Sequence, residues 1–220
     1  MNQHFSSFAA SLLSLLLPER CRACRKPSTV ALCPSCHAMV SYLNDDDDDD
    51  KALPCRSLCV YDEPVAGLIH RLKYAADRTV LPALAQIAAA RDLADCAEAD
   101  LIIPVPLHVS RLRRRGLNQS LLLARLFFPE RRQIIRCDLL VRHRPTTPQT
   151  GLSGEARRRN LQGAFSLTPA SGTIAGRHVL LVDDVRTTGS TLAECRRVLL
   201  AGGAARVSCL TLARADLQAL

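Results

Sequence analysis

From residue 52 onward, short apolar runs alternate with stretches whose apolar residues recur every three or four positions. Residues 57–61 (SLCVY), 101–105 (LIIPV), 134–141, 179–182 (VLLV) and 207–212 read as strands. Several of them are continuously apolar, as strands buried on both faces are. Between them, 65–74 (VAGLIHRLKY) places apolar residues at 65, 68, 69 and 72, and 80–93, 117–128 and 191–200 also read as helices. Gly202-Gly203 supplies a stop between the last helix and the last strand. Alternation of buried strands with helices predicts an α/β fold built on a mostly parallel sheet covered on both faces. No internal repeat is visible.

The first fifty residues follow a different pattern. Residues 5–17 (FSSFAASLLSLLL) are mostly apolar or small, with Phe5, Phe8, Leu12, Leu15 and Leu16 close to helical spacing, which predicts a short amphipathic helix. No Lys or Arg precedes the run, no small-residue cleavage site follows before Pro18, and it is too short to span a bilayer. The expectation is a soluble chain without a signal peptide or membrane span. Six consecutive Asp at 45–50 repel one another and stay solvated, which marks a linker, with a cation site or an acidic docking tail as the functional alternative. The expected organisation is 1–44 as an N-terminal helix and metal-binding module, 45–51 as an acidic linker and 52–220 as the α/β domain.

Charge sharpens this division. The 220 residues carry 29 Lys+Arg against 21 Asp+Glu, a formal charge of +8, but residues 1–51 hold 5 basic and 7 acidic side chains while 52–220 hold 24 and 14. The second part therefore expects an anionic partner, unless its arginines reflect codon preference. Trp is absent and aromatics are 4%, leaving few rings for stacking nucleic-acid bases.

Of the ten Cys, four form two tight pairs, Cys21-x2-Cys24 and Cys33-x2-Cys36, separated by eight residues. Each pair places two thiolates on one ion, the pattern of a tetrahedral Zn(Cys)4 site. The others (Cys55, Cys59, Cys96, Cys137, Cys195, Cys209) are scattered, several in apolar segments, and read as small core filler. Paired knuckles with buried single thiols predict a reducing cytoplasm. His37 beside Cys36 reads as a bystander.

The most informative stretch is 179–191 (VLLVDDVRTTGST): an apolar strand ending in two carboxylates, then a hydroxyl- and glycine-containing turn, then a helix. The C-terminal end of a parallel strand opens into the crevice where such sheets bind ligands. The turn aims backbone N–H groups and the helix dipole at an anion. Gly189 permits close backbone approach, and Thr187, Thr188, Ser190 and Thr191 add hydroxyl donors. Asp183 and Asp184 suit hydrogen bonds from vicinal ribose hydroxyls, or Mg2+ reached through water. This segment resembles the 5-phosphoribosyl 1-pyrophosphate (PRPP) motif of type I phosphoribosyltransferases. That resemblance assigns the ribose diol to Asp183 and Asp184, and the 5′-phosphate to Thr187, Thr188, Gly189, Ser190 and Thr191. Purine-salvage members carry an acid where Thr187 stands; a hydroxyl is unsuited to general-base work at neutral pH, which argues against standard 6-oxopurine salvage.

Two arginine-rich segments complete the pattern. Residues 103–107 (IPVPL) lead into 111–120 (RLRRRGLNQS), read as a loop, and 144–165 (RPTTPQTGLSGEARRRNLQGAF) reads as a mobile loop, with Ser153 capping a helix that carries Arg157 and Asn160. Residues 111–159 hold thirteen Arg against three acids, a density that attracts a polyanion. Taken in order, the knuckles, "LIHRLKY", "PVPL…RRRGLNQ", "TPQTGLS…RRRNLQGAF" and "VDDVRTTGST" resemble the ComF family (competence protein F, amidophosphoribosyltransferase-like). The resemblance implies a Rossmann-like sheet with a hood and an N-terminal zinc module. It places Arg115, Gly116, Asn118 and Gln119 on a pyrophosphate-side loop and Lys73 facing the site. Many members carry a second set of knuckles; here the acidic run occupies that region, and Cys55-x3-Cys59 is at best a remnant.

These readings imply a cytoplasmic, PRPP-binding, phosphoribosyltransferase-like protein that uses Mg2+ with its ligand and Zn2+ structurally, with Asp183 and Asp184 as catalytic residues if it turns over. The competence association of the family raises a second expectation, a non-catalytic adaptor that grips single-stranded DNA alongside other DNA-uptake proteins.

Overall fold

A computed structural model describes residues 19–44, 53–145 and 161–215. The expected N-terminal helix, the acidic run and the Ser153–Asn160 part of the second arginine segment lie outside the described residues. Four strands form the central sheet: β1 (Cys55–Val60), β2 (Leu101–Pro104), β5 (His178–Arg186) and β6 (Arg206–Arg214), in the order β1-β6-β5-β2 and all parallel. The register pairs Cys55 with Cys209, Asp183 with Thr211 and Leu101 with Val179. Both outer strands are covered. Tyr42 bridges Cys59 antiparallel beside β1, and Ile135 bridges Ile102 beside β2, which blunts the exposed edges.

Period-two alternation along β5 divides the interior into two cores. Leu180 and Val182 face one side with Leu68 and Leu72 of α2 (Val65–Tyr74), Leu84 and Ile87 of α3 (Leu81–Ala89), and Leu123 and Ala124 of α6 (Gln119–Phe127). Val179 and Leu181 face the other with Leu192, Cys195 and Leu199 of α7 (Ser190–Ala201). The second core also receives Leu140 of β3 (Leu140–Arg142) and Phe165 of β4 (Phe165–Leu167), a small antiparallel pair that forms the expected hood. The short helices α1 (Pro34–Ala38), α4 (Ala94–Ala97) and α5 (Val109–Arg115) complete the described set.

The cysteine segment docks on the helical side of the sheet. Leu32, fully buried, shares a core with Leu68 and Leu84, and its backbone exchanges two hydrogen bonds with the Gln86 amide at 3.0 and 2.9 Å. Arg71 of α2 donates to the Arg22 carbonyl between the first two cysteines. No helix among the described residues is long and apolar enough to cross a membrane.

Several local expectations are corrected. Residues 134–141 do not form one strand: Pro129–Ile134 is a 3-10 helix, Arg136 and Asp138 pair side chain to side chain, and only Leu140–Arg142 enters a ladder. Residues 80–93 shorten to a 3-10 turn at Arg78–Val80, started by Thr79 N–H donating to Asp77 Oδ1, followed by Leu81–Ala89. The first arginine segment is helical over Val109–Arg115, capped by His108 Nδ1 accepting from Ser110 N–H and ended by Gly116 at φ +70°. β5 runs through the acid pair to Arg186 instead of stopping before it. Cys55, Cys59, Cys96, Cys195 and Cys209 are buried as core filler, whereas Cys137 is exposed.

Candidate ligand and metal sites

The acid pair lies where β5 leaves the hydrophobic layer. Strand alternation continues past Val182, so Asp184 follows Leu180 and Val182 toward α2, where Lys73 Nζ meets its Oδ1 at 3.0 Å. Asp184 is buried, and its Oδ2 has no hydrogen-bond partner among the described residues. Asp183 is half-buried; its Oδ1 accepts the Ser120 hydroxyl at 2.8 Å and the Asp184 N–H at 2.9 Å. Burial first, then the neighbouring Asp184 charge, pushes the Asp183 carboxyl up to about 7 against the pull of Ser120, the Asp184 amide and Lys73. Burial works to lower the Lys73 ammonium, but Asp184 and then Asp183 outweigh it and hold its pKa above the ordinary value.

Immediately beyond, the chain turns into α7 around a small open recess lined by Asp183, Arg186, Thr187, Thr188, Gly189, Ser190 and Thr191 among others. Gly189 adopts φ +70°, which calls for glycine, and a methyl group there would lie 2.9 Å from Leu53 Cδ2, so the leucine side chain would also have to shift. As the N-cap of α7 it offers no side-chain acceptor, which leaves the first-turn N–H groups to an anion. Thr188 Oγ1 and Ser190 Oγ are 2.8 Å apart, Thr187 is exposed and Thr191 half-buried. Arg186 is buried beneath the turn and donates to the Cys55 carbonyl at 3.4 Å.

The predicted site residues therefore gather at one end of the sheet, with differences in role. Arg115 stacks over the Tyr74 ring at 5.4 Å, next in sequence to Lys73, and its Nε has no hydrogen-bond partner among the described residues. Gly116 ends α5 instead of lying in a loop. Asn118 caps α6, its Oδ1 accepting from Ser120 and Leu121 N–H, and Gln119 is buried. Sequence reading missed Ser120 and Arg142. Arg142 is buried over the Phe165 ring at 5.3 Å, and burial, then the Arg111 charge, lowers its pKa to about 10. Its signal was an arginine on the inward face of a short apolar strand; Ser120 carried none beyond its place after a helix cap.

The four paired cysteines converge, with all four Sγ atoms within 4.8 Å of one another and Cys24 and Cys33 3.7 Å apart. A tetrahedron with metal–sulfur bonds of about 2.3 Å has sulfur–sulfur edges of about 3.8 Å, so the spacing suits a single metal ion. Burial tends to raise the Cys21 thiol, but N–H groups of Cys33, Cys24 and Ala23 stabilise its thiolate and hold it at about 6. Burial, then hydrogen bonds with its neighbouring thiols, pushes Cys36 up to about 12. A cation among the four would relieve that unequal sharing. His37 Nε2 lies 3.1 Å from the Tyr42 hydroxyl and is not part of the cluster.

Residues 99–218 match the phosphoribosyl transferase domain family. The chain is 37% identical over 207 residues to the DNA utilization protein YhgH of Escherichia coli K12, covering 88% of this chain and 87% of the relative. It is 39% identical over 165 residues to competence protein F of Haemophilus influenzae, 70% of each chain. Competence protein ComFC of Bacillus subtilis is 26% identical over 208 residues, 93% of this chain and 81% of the relative.

Proposed function

The chain belongs to the ComF family of phosphoribosyltransferase-domain proteins, and from that premise we propose that it binds PRPP, with Mg2+, at the end of β5. One observation carries the reading: the Asp183 carboxylate and a glycine-capped helix N-terminus border one recess, with Asp184 next to Asp183 on the strand keeping one oxygen without a partner among the described residues, which suits the two chemically different ends of a phosphorylated ribose. The turn at Thr187–Thr191 takes the 5′-phosphate through first-turn N–H groups and hydroxyls. Asp183 and Asp184 accept from the ribose 2′- and 3′-hydroxyls. Arg115 and Gly116, at the end of α5, and Lys73 border the pyrophosphate side. Carboxylate oxygens are the hard donors Mg2+ selects, and Mg2+ would screen the pyrophosphate charge beside them. Chemistry at the ribose C1 would form a bond to an incoming base or amine as the bond to pyrophosphate breaks, with these groups stabilising the departing charge. Zn2+ is the metal the four thiols favour, with a structural role.

Thermal protection of the full chain by PRPP with Mg2+ is expected, and its loss in Asp183→Asn/Asp184→Asn. No protection of the unmodified protein would overturn the reading. Pyrophosphate release across a panel of bases and amines then separates turnover from binding. A second reading, a cytoplasmic single-stranded DNA adaptor, is favoured by exposed Arg113 and Arg114 on α5 and by the DNA-utilization and competence names of the relatives. Its mark is salt-dependent strand binding that survives the two aspartate substitutions.

A further inference from the structure

The two carboxylates are each tied from inside the protein, and by different helices. Lys73 on α2 engages Asp184 Oδ1, while Ser120 at the start of α6 donates to Asp183 Oδ1. That oxygen also accepts the Asp184 N–H, so both hydrogen bonds to Asp183 from the described residues fall on one atom. We propose that Ser120 is a positioning residue for the ligand site: its hydroxyl fixes the Asp183 rotamer so that Oδ1 is occupied within the protein and Oδ2 is presented to the recess as the acceptor for a ribose hydroxyl.

Folding alone does not account for a serine here. Its side chain is 1% exposed, between the helix cap Asn118 and the core residues Leu123 and Ala124. The Ser120 N–H is satisfied by Asn118 Oδ1 at 3.0 Å, and Asn118 is anchored to the Val105 carbonyl at 3.2 Å, so the hydroxyl is not needed to start the helix. Serines within helices usually turn back on their own backbone. This one reaches 63 residues along the chain to the strand that carries the acid pair. A buried hydroxyl is costly unless bonded, and alanine would suit the packing.

The nature of the ligand rests on the PRPP reading; the contact does not. Side-chain NMR couplings of Asp183 in the ligand-free full chain are expected to report one χ1 rotamer, and averaging over rotamers in Ser120→Ala. A single unchanged rotamer in Ser120→Ala overturns the proposal. The dissociation constant for Mg2+–PRPP is expected to be about tenfold weaker in Ser120→Ala, the size of one hydrogen bond to a charged group. Undiminished affinity also overturns it. Should the unmodified protein not bind PRPP, the functional reading fails while the rotamer measurement still decides the role of Ser120. Should Ser120→Ala not fold, Ser120→Cys retains a weaker donor and is expected to show partial averaging; an Asp183 rotamer as fixed as in the unmodified protein refutes the assignment.

Discussion

Replacing Lys73 with methionine tests how much the ion pair under the site contributes to the fold. Lys73 Nζ sits 3.0 Å from Asp184 Oδ1, with the side chains 18% and 6% exposed. Methionine fills most of the lysine stem, so the change removes the cation more than the packing. Breaking a largely buried pair from one side costs about 3–5 kcal/mol, because the remaining carboxylate is stranded. Water reaches the pair through the part-exposed lysine position, so the expected loss at pH 7 is at the lower end, about 3 kcal/mol. Lys73 adds no slope of its own around that pH. Its folded pKa is raised, so its stabilisation is complete below about 10.4 and is lost only as pH climbs through the raised value. Urea unfolding of Lys73→Met against its parent, both in an Asp183→Asn background to remove the Asp183 titration, measures the difference at pH 7. A loss under about 1 kcal/mol would refute the reasoning.

The Asp183 carboxyl, raised to about 7 in the fold, binds a proton that the unfolded chain releases near pH 4, so stability should fall as pH rises through about 4 to 7; Asp183→Asn should flatten that slope in pH-dependent melting. Mg2+–PRPP binding should strengthen through the same upper limit, read by calorimetry at pH 6 and 8. Gly189→Ala imposes φ +70° on a side-chain-bearing residue and drives its methyl against Leu53, so a loss of about 1–2 kcal/mol in chemical unfolding is expected, together with loss of PRPP protection. Cys24→Ser should lower the bound zinc per chain, and the melting temperature with it, because the cluster's Cys21 and Cys36 share one core with Leu68 of α2; a strong chelator should reproduce the shift in the unmodified protein.

What the sequence revealed and what it hid follow from the range of the interactions involved. The helix at Val65–Tyr74 was readable to its ends because one apolar stripe faces one core. The parallel sheet was readable because continuously apolar runs have nowhere to go but between two layers. The hood was not readable residue by residue: β3 and β4 pair over three positions each, and a three-residue ladder leaves no period to detect. The arginine helix was mistaken for a loop because prolines upstream and a glycine downstream mask a seven-residue helix whose residues are all exposed or half-buried. At the site, the motif singled out the acid pair and the turn but not the residues that hold them in place. A pattern of neighbours in sequence records the turn from Asp183 to Thr191, whereas Lys73, Ser120 and Arg142 approach it from three separate elements. Two like charges side by side on a strand would repel and swing toward solvent; Asp184 is instead buried against Lys73 and Asp183 is tethered to Ser120. The acid pair is thus a product of tertiary structure as much as of its motif, and changes on α2 or α6 should disturb the candidate site although neither helix belongs to the turn that marks it in the sequence.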